Sequence, residues 1–151
     1  MKRSIETLTR TQATAAIGLL ALGGGVTCYA DAAKPASHEH LVSSNPLLNV
    51  RGSQLTAVVV SYGPGEKSPA HHHSGSVFAY VLSGTIRSQN SATGPVRVYK
   101  SGESFFEPAG SIHLVSENAS ASKPAKLLAV FVADDGAQLT TREPATTGDP
   151  R

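Results

Sequence analysis

Two segments of the sequence decide the fold. The first is Gly-Glu-Lys-Ser-Pro-Ala-His-His-His at residues 65–73, and the second is Gly-Glu-Ser-Phe-Phe-Glu-Pro-Ala-Gly-Ser-Ile-His at residues 102–113. In a strand, His71 and His73 point to one face, because side chains alternate. His113, from a distant strand, can then join them at one ion inside a small barrel. Three protein ligands leave coordination positions open, as in catalytic metal sites. A histidine tract taken alone is a weak signal and is more typical of an exposed polar turn.

Short apolar segments separated by Gly and Pro turns surround these histidines. They occupy residues 55–61, 77–82, 85–89, 96–99, 104–107, 112–116 and 126–132. Such spacing, with no amphipathic helical pattern after residue 33, predicts an all-β sandwich or barrel. We expect the barrel to span residues 51–136, between a flexible polar lead-in at 33–50 and a flexible tail at 137–151.

Length and composition exclude several classes of protein. The chain has 151 residues, of which 40% are hydrophobic and 16% charged, which is typical of one globular domain. A formal charge of +2 without a basic block argues against nucleic-acid binding. A single cysteine excludes a disulfide framework and a Cys-rich zinc site.

The first 32 residues are interpreted as a signal peptide. Lys2, Arg3 and Arg10 precede an uncharged apolar run, and residues 30–32 have the Ala-x-Ala form of a cleavage site. This order predicts a periplasmic or secreted protein with no stable membrane association after cleavage. An uncleaved anchor and a lipoprotein modified at Cys28 remain as alternatives.

At this point the sequence resembles the cupin superfamily, specifically a small single-domain cupin of type 2. The first family motif is G-x5-H-x-H, followed by a glutamate, six residues and a glycine; the second is G-x5-P-x-G-x2-H-x3-N. The residues in register with the two motifs are Gly65, His71, His73 and Gly84, then Gly102, Pro108, Gly110 and His113. The resemblance implies a double-stranded β-helix (jelly-roll) barrel in which His71, His73 and His113 hold one divalent metal ion. The candidate ions are Fe, Zn, Mn, Ni and Cu, and neutral imidazole ligands suit Zn, Fe, Cu and Ni.

Two positions depart from the family pattern. The glutamate of the first motif is replaced by Val77, and the asparagine of the second motif by Glu117, with Asn118 following it. An all-imidazole site leaves the ion its full charge, which favours an anionic or enolate-like substrate. A cupin that has lost its metal is the alternative.

Glu107 and Gln89 are the predicted catalytic residues. Glu107 lies six residues before His113, where related three-His cupins place an outer acid. It is a candidate to accept an imidazole N–H, to orient a water or to be a fourth ligand, and the alternative is an exposed charge. Alternation predicts that Gln89, and Arg87 with it, faces the cavity.

The expected function is that of an exported metal-dependent enzyme, such as a dioxygenase, isomerase or lyase, acting on a small organic substrate. The alternative is a small-ligand binding or sensing module without turnover. By resemblance to other single-domain cupins, which bury sheet surface in this way, we also expect a homodimer.

Overall fold

A computed structural model of the chain describes residues 38–144. These residues form eleven strands, and no helix among them is long and apolar enough to cross a bilayer. In chain order the strands are β1 (His38–Pro46), β2 (Ser53–Tyr62), β3 (Lys67–Ser68), β4 (His71–His73), β5 (Ser76–Ser83), β6 (Thr85–Asn90), β7 (Arg97–Lys100), β8 (Ser104–Glu107), β9 (Ile112–Asn118), β10 (Ala125–Asp134) and β11 (Thr140–Arg142). The predicted signal peptide, residues 1–32, lies outside the described part.

The strands form two antiparallel sheets. The first sheet has the order β1-β2-β10-β5-β8, and the second has the order β11-β4-β9-β6-β7, with β3 pairing to β9. Consecutive strands alternate between the sheets at several points, for example from β5 to β6 across Gly84. The two sheets form the double-stranded β-helix that the sequence predicted.

The hydrophobic core lies between the two sheets. On β5, Val77 and Val81 are buried, whereas Phe78 and Tyr80 face outward, as alternation predicts. Across the core, Ile86 of β6 is fully buried. This division of faces leaves the cavity side of β5 apolar.

The structure differs from the sequence prediction at both ends of the barrel. The region predicted as a flexible lead-in contains β1, which pairs with β2 along its length. The region predicted as a flexible tail contains β11, which pairs with β4. Both strands are mostly polar and exposed, so they carry no hydrophobic pattern, and backbone pairing to a sheet edge holds them instead. Residues 33–37 and 145–151 lie outside the described part.

Candidate metal centre

Strand β4 presents two imidazoles to the interior of the barrel. His71 and His73 are buried, whereas His72 faces outward, and its Nδ1 lies 2.6 Å from Oε1 of Glu143. The alternation predicted for this segment is therefore confirmed.

His113 reaches the same interior through an irregularity in β9. In the β6–β9 pairing Gln89 lies opposite Val115, but Asn90 lies opposite His113, so that Leu114 is the extra residue of a β-bulge. Simple alternation from a buried Ser116 would turn Leu114 inward and His113 outward. The bulge reverses this, and Leu114 is exposed while His113 is buried.

The three imidazoles converge. His71 lies directly opposite His113 in the β4–β9 pairing, so both side chains occupy one face of the sheet. The ring centroid of His71 is 4.8 Å from that of His73 and 5.0 Å from that of His113. One nitrogen from each ring lies within 4.8 Å of the others, which makes the cluster a candidate site for a metal ion.

Backbone acceptors fix the orientation of two of these rings. Nδ1 of His71 lies 2.7 Å from the carbonyl oxygen of Pro69, and Nδ1 of His73 lies 3.1 Å from that of Leu139. Because a carbonyl only accepts, each Nδ1 carries the hydrogen and each Nε2 presents a lone pair. Outer-shell partners orient metal-binding histidines in this way.

The third ring is held by side chains. Nε2 of His113 lies 2.8 Å from Oγ of Ser88, and Nδ1 lies 3.1 Å from Oε2 of Glu107. The amide of Asn90 donates to the same carboxylate oxygen at 3.3 Å. Glu107 is buried and lies in the cluster, which excludes the exposed-charge alternative.

The environment keeps these groups in the protonation states that metal binding requires. Burial lowers the pKa of His71 and that of His73 below the ordinary 6.5, so both rings are neutral at neutral pH. Burial would raise the pKa of Glu107, but the hydrogen bond from His113 and the nearby imidazoles hold it below the ordinary 4.5. These shifts favour the neutral form of His71 and His73 and the ionised form of Glu107.

A cavity of about 320 Å³ adjoins the three imidazoles. Its walls combine apolar side chains, among them Val77, Phe105 and Phe131, with charged ones, among them Glu39 and Arg142. Tyr62 also lines it, and its hydroxyl lies 2.8 Å from Oγ of Ser116. Burial raises the pKa of Tyr62 above 10.0, so this hydroxyl keeps its proton at neutral pH.

The orientation predicted for β6 was wrong. Gln89 does not line the cavity; the inward residues are Ile86, Ser88 and Asn90. Arg87 also lies on the outward side, where it pairs with Glu117. Prediction missed Ser88 and Asn90 because alternation was counted across Gly84, where the chain passes from one sheet to the other. The buried isoleucine on this short strand was the signal that would have set the count correctly.

The donor set fits a divalent transition metal. Neutral imidazole nitrogens suit Zn, Fe, Cu and Ni, and three of them with open positions are typical of catalytic rather than structural sites. His71, His73 and His113 would hold the ion.

The chain contains a cupin domain. Residues 58–131 match the model of the cupin domain. No protein of curated function matches the sequence significantly.

Three solved structures illustrate the likeness. A conserved protein with a double-stranded β-helix domain from Klebsiella pneumoniae is 22% identical, with a TM-score of 0.54 over 72% of this chain and 86% of that chain. The DMSP lyase DddQ from Ruegeria pomeroyi is 19% identical, with a TM-score of 0.55 over 71% of this chain and 51% of that chain. Oxalate decarboxylase of Bacillus subtilis, which has Mn(II) centres, is 20% identical, with a TM-score of 0.55 over 72% of this chain and 28% of that chain. At these identities the likeness shows the fold, and this chain spans only part of the two enzymes.

Proposed function

We propose that this protein is a metal-dependent enzyme that holds one divalent ion through His71, His73 and His113 and acts on a small organic substrate in the adjoining cavity. The observation that carries the proposal is the convergence of three buried imidazoles. Backbone carbonyls orient two of them so that the lone pair of Nε2 is available to a metal ion. Such a bound ion would supply Lewis acidity toward an oxygen of the substrate.

The other residues of the cavity define what it accepts. The apolar part of the wall fits the carbon skeleton of a small molecule, and the volume of about 320 Å³ lies at the lower end of ligand cavities. The Tyr62 hydroxyl, held by Ser116, keeps its proton and can donate a hydrogen bond to a substrate oxygen. Solved structures with the same fold include a DMSP lyase and an oxalate decarboxylase, so small organic molecules are the substrates to screen first.

Metal loading tests the proposal directly. Protein purified without a metal-affinity tag and stripped with chelator should take up one ion per chain from Zn, Mn, Fe, Ni, Cu or Co. Saturation at 100 times the dissociation constant should add about 2.7 kcal/mol to the free energy of unfolding. His71→Ala should abolish both effects, whereas His72→Ala, which alters the outward histidine beside it, should retain them.

Two results separate the remaining possibilities. If the protein takes up no stoichiometric metal and His71→Ala changes nothing, the proposal is lost. If the loaded protein shows ligand-dependent thermal shifts but forms no product from any candidate substrate, the binding or sensing alternative replaces the enzyme.

Export and dimerisation remain predictions. Amino-terminal sequencing of protein recovered from the periplasm or medium tests cleavage of residues 1–32. The outer face of the first sheet exposes Phe78, Tyr80, Leu82 and Phe106, a surface that a second copy could cover. Sedimentation at several concentrations tests the homodimer.

A further inference from the structure

The carboxylate missing from the first cupin motif has a counterpart on the neighbouring strand. Val77 occupies the position at which the motif has glutamate, and in the β5–β8 pairing Val77 lies directly opposite Glu107. Side chains opposite each other in an antiparallel pair share one face, with Cβ atoms about 5 Å apart. Glu107 therefore enters the same part of the cavity that a glutamate at position 77 would enter.

Two nitrogen atoms of the imidazole cluster lie near the carboxylate of Glu107, and Nδ1 of His113 is hydrogen-bonded to it. Its Oε2 lies 3.1 Å from Nδ1 of His113 and 3.8 Å from Nε2 of His73. With metal–ligand bonds of about 2.1 Å, neighbouring donor atoms lie ~3.0–3.5 Å apart. The 3.8 Å separation from His73 exceeds this spacing, so binding an ion requires the carboxylate to move toward the imidazoles.

The contact between Oε2 of Glu107 and Nε2 of His73 is not a hydrogen bond, because neither atom carries a hydrogen. Nδ1 of His73 carries the hydrogen, because it lies 3.1 Å from the carbonyl oxygen of Leu139. In the neutral ring, Nε2 is then an acceptor, and it faces a carboxylate oxygen that is also an acceptor. Two acceptors make no hydrogen bond with each other, and a cation between them would make this 3.8 Å contact attractive.

The geometry points to Glu107 as the fourth protein ligand of the metal ion, with its carboxylate supplied from β8 instead of β5. This inference rests on the proposed function, because it requires the three imidazoles to bind metal. The ion would then keep a net charge of +1 instead of the +2 expected for an all-imidazole set. A donor set of three nitrogens and one carboxylate oxygen also favours harder ions, such as Mn(II) or Fe(II), more than three imidazoles do.

Co(II) titration of the stripped protein tests the assignment, because the visible spectrum of Co(II) reports the ligands directly bound to it. We expect Glu107→Gln to shift the Co(II) bands and to weaken binding by more than ~100-fold, beyond the ~10–100-fold typical of losing an outer-shell partner. Glu103→Gln, which alters an exposed carboxylate directly before β8, is the matched control and should bind Co(II) as the wild type does.

A relocation variant provides a second readout. In Val77→Glu/Glu107→Val the carboxylate and the valine exchange strands, and Co(II) affinity should return to within ~10-fold of the wild type if the carboxylate is a ligand. If this variant does not fold, as judged by circular dichroism, the Glu107→Gln spectrum decides alone.

The outcomes separate this inference from the proposed function. An unchanged Co(II) spectrum in Glu107→Gln overturns the inference at any affinity and leaves the three-His site in place. If the wild-type protein binds no Co(II), the proposed metal site fails and the inference fails with it.

Discussion

Two glycines with nearly the same backbone conformation should respond very differently to alanine. Gly84 has φ of 74° and Gly52 has φ of 73°, both in the left-handed region. A Cβ added at Gly84 would lie 2.7 Å from the carbonyl oxygen of Pro124 and 2.8 Å from Cβ of Ala125. A Cβ added at Gly52 would meet nothing within 4 Å. The pair therefore separates the cost of conformation from the cost of crowding.

The expected losses follow from these surroundings. Alanine in the left-handed region costs about 1 kcal/mol at either position. At Gly84 the new methyl group also collides with backbone that cannot rotate away, which adds ~1–3 kcal/mol. We therefore expect Gly52→Ala to lower the free energy of unfolding by about 1 kcal/mol and Gly84→Ala to lower it by about 2–4 kcal/mol.

Urea unfolding of metal-free protein in chelator, followed by circular dichroism and extrapolated linearly, measures both losses. Equal losses in the two variants would refute the reasoning, because they would show that close approach of Pro124 does not constrain Gly84. Gly84 also precedes β6, which carries Ser88, so Gly84→Ala should weaken metal binding as well. Gly52→Ala, in the turn before β2, should not.

Two further predictions concern the candidate site. Ser88→Ala should lower the free energy of unfolding of metal-free protein by ~1–3 kcal/mol, because it leaves Nε2 of His113 buried without its partner. Ser101→Ala, which removes an exposed hydroxyl, is the control and should change the free energy of unfolding by less than ~0.5 kcal/mol in the same urea assay. The stability of metal-free protein should fall as pH is lowered below 6.5. His71 and His73 have folded-state pKa values below that value, so the unfolded chain binds more protons there. A urea midpoint that is higher at pH 5.5 than at pH 6.5 would contradict the predicted loss of stability.

The parts of the site that sequence could predict are those that depend on short-range alternation. His71 and His73 are separated by one residue, so their common face follows from the strand alone. The family motifs placed His113 with them by register. Glu107 was identified by its spacing from His113, but its burial depends on pairing with β5, which a single sequence does not reveal.

The parts that failed depend on where alternation is interrupted. The count through Gln89 failed because β5 and β6 belong to different sheets, and a turn at positive φ reorients the chain between them. The position of His113 shows the same limit, since alternation within β9 from Ser116 gives the wrong face until the bulge at Leu114 is included. Bulges arise from pairing between strands, so local sequence patterns do not locate them.

The boundary of the functional unit also differs from that of the recognisable domain. The family match ends at residue 131, but the carbonyl oxygen that orients His73 belongs to Leu139, and the hydroxyl of Thr140 lies 3.2 Å from the same Nδ1. Strand β11 holds these acceptors in place by pairing with β4, the strand that carries the imidazole itself. The acceptors beside Nδ1 of His73 keep the hydrogen on that atom, so Nε2 offers its lone pair to a metal ion. The polar strand β11, which has no hydrophobic pattern, therefore determines which nitrogen of a buried histidine can bind metal. The site is therefore complete only when the chain beyond the family match is included.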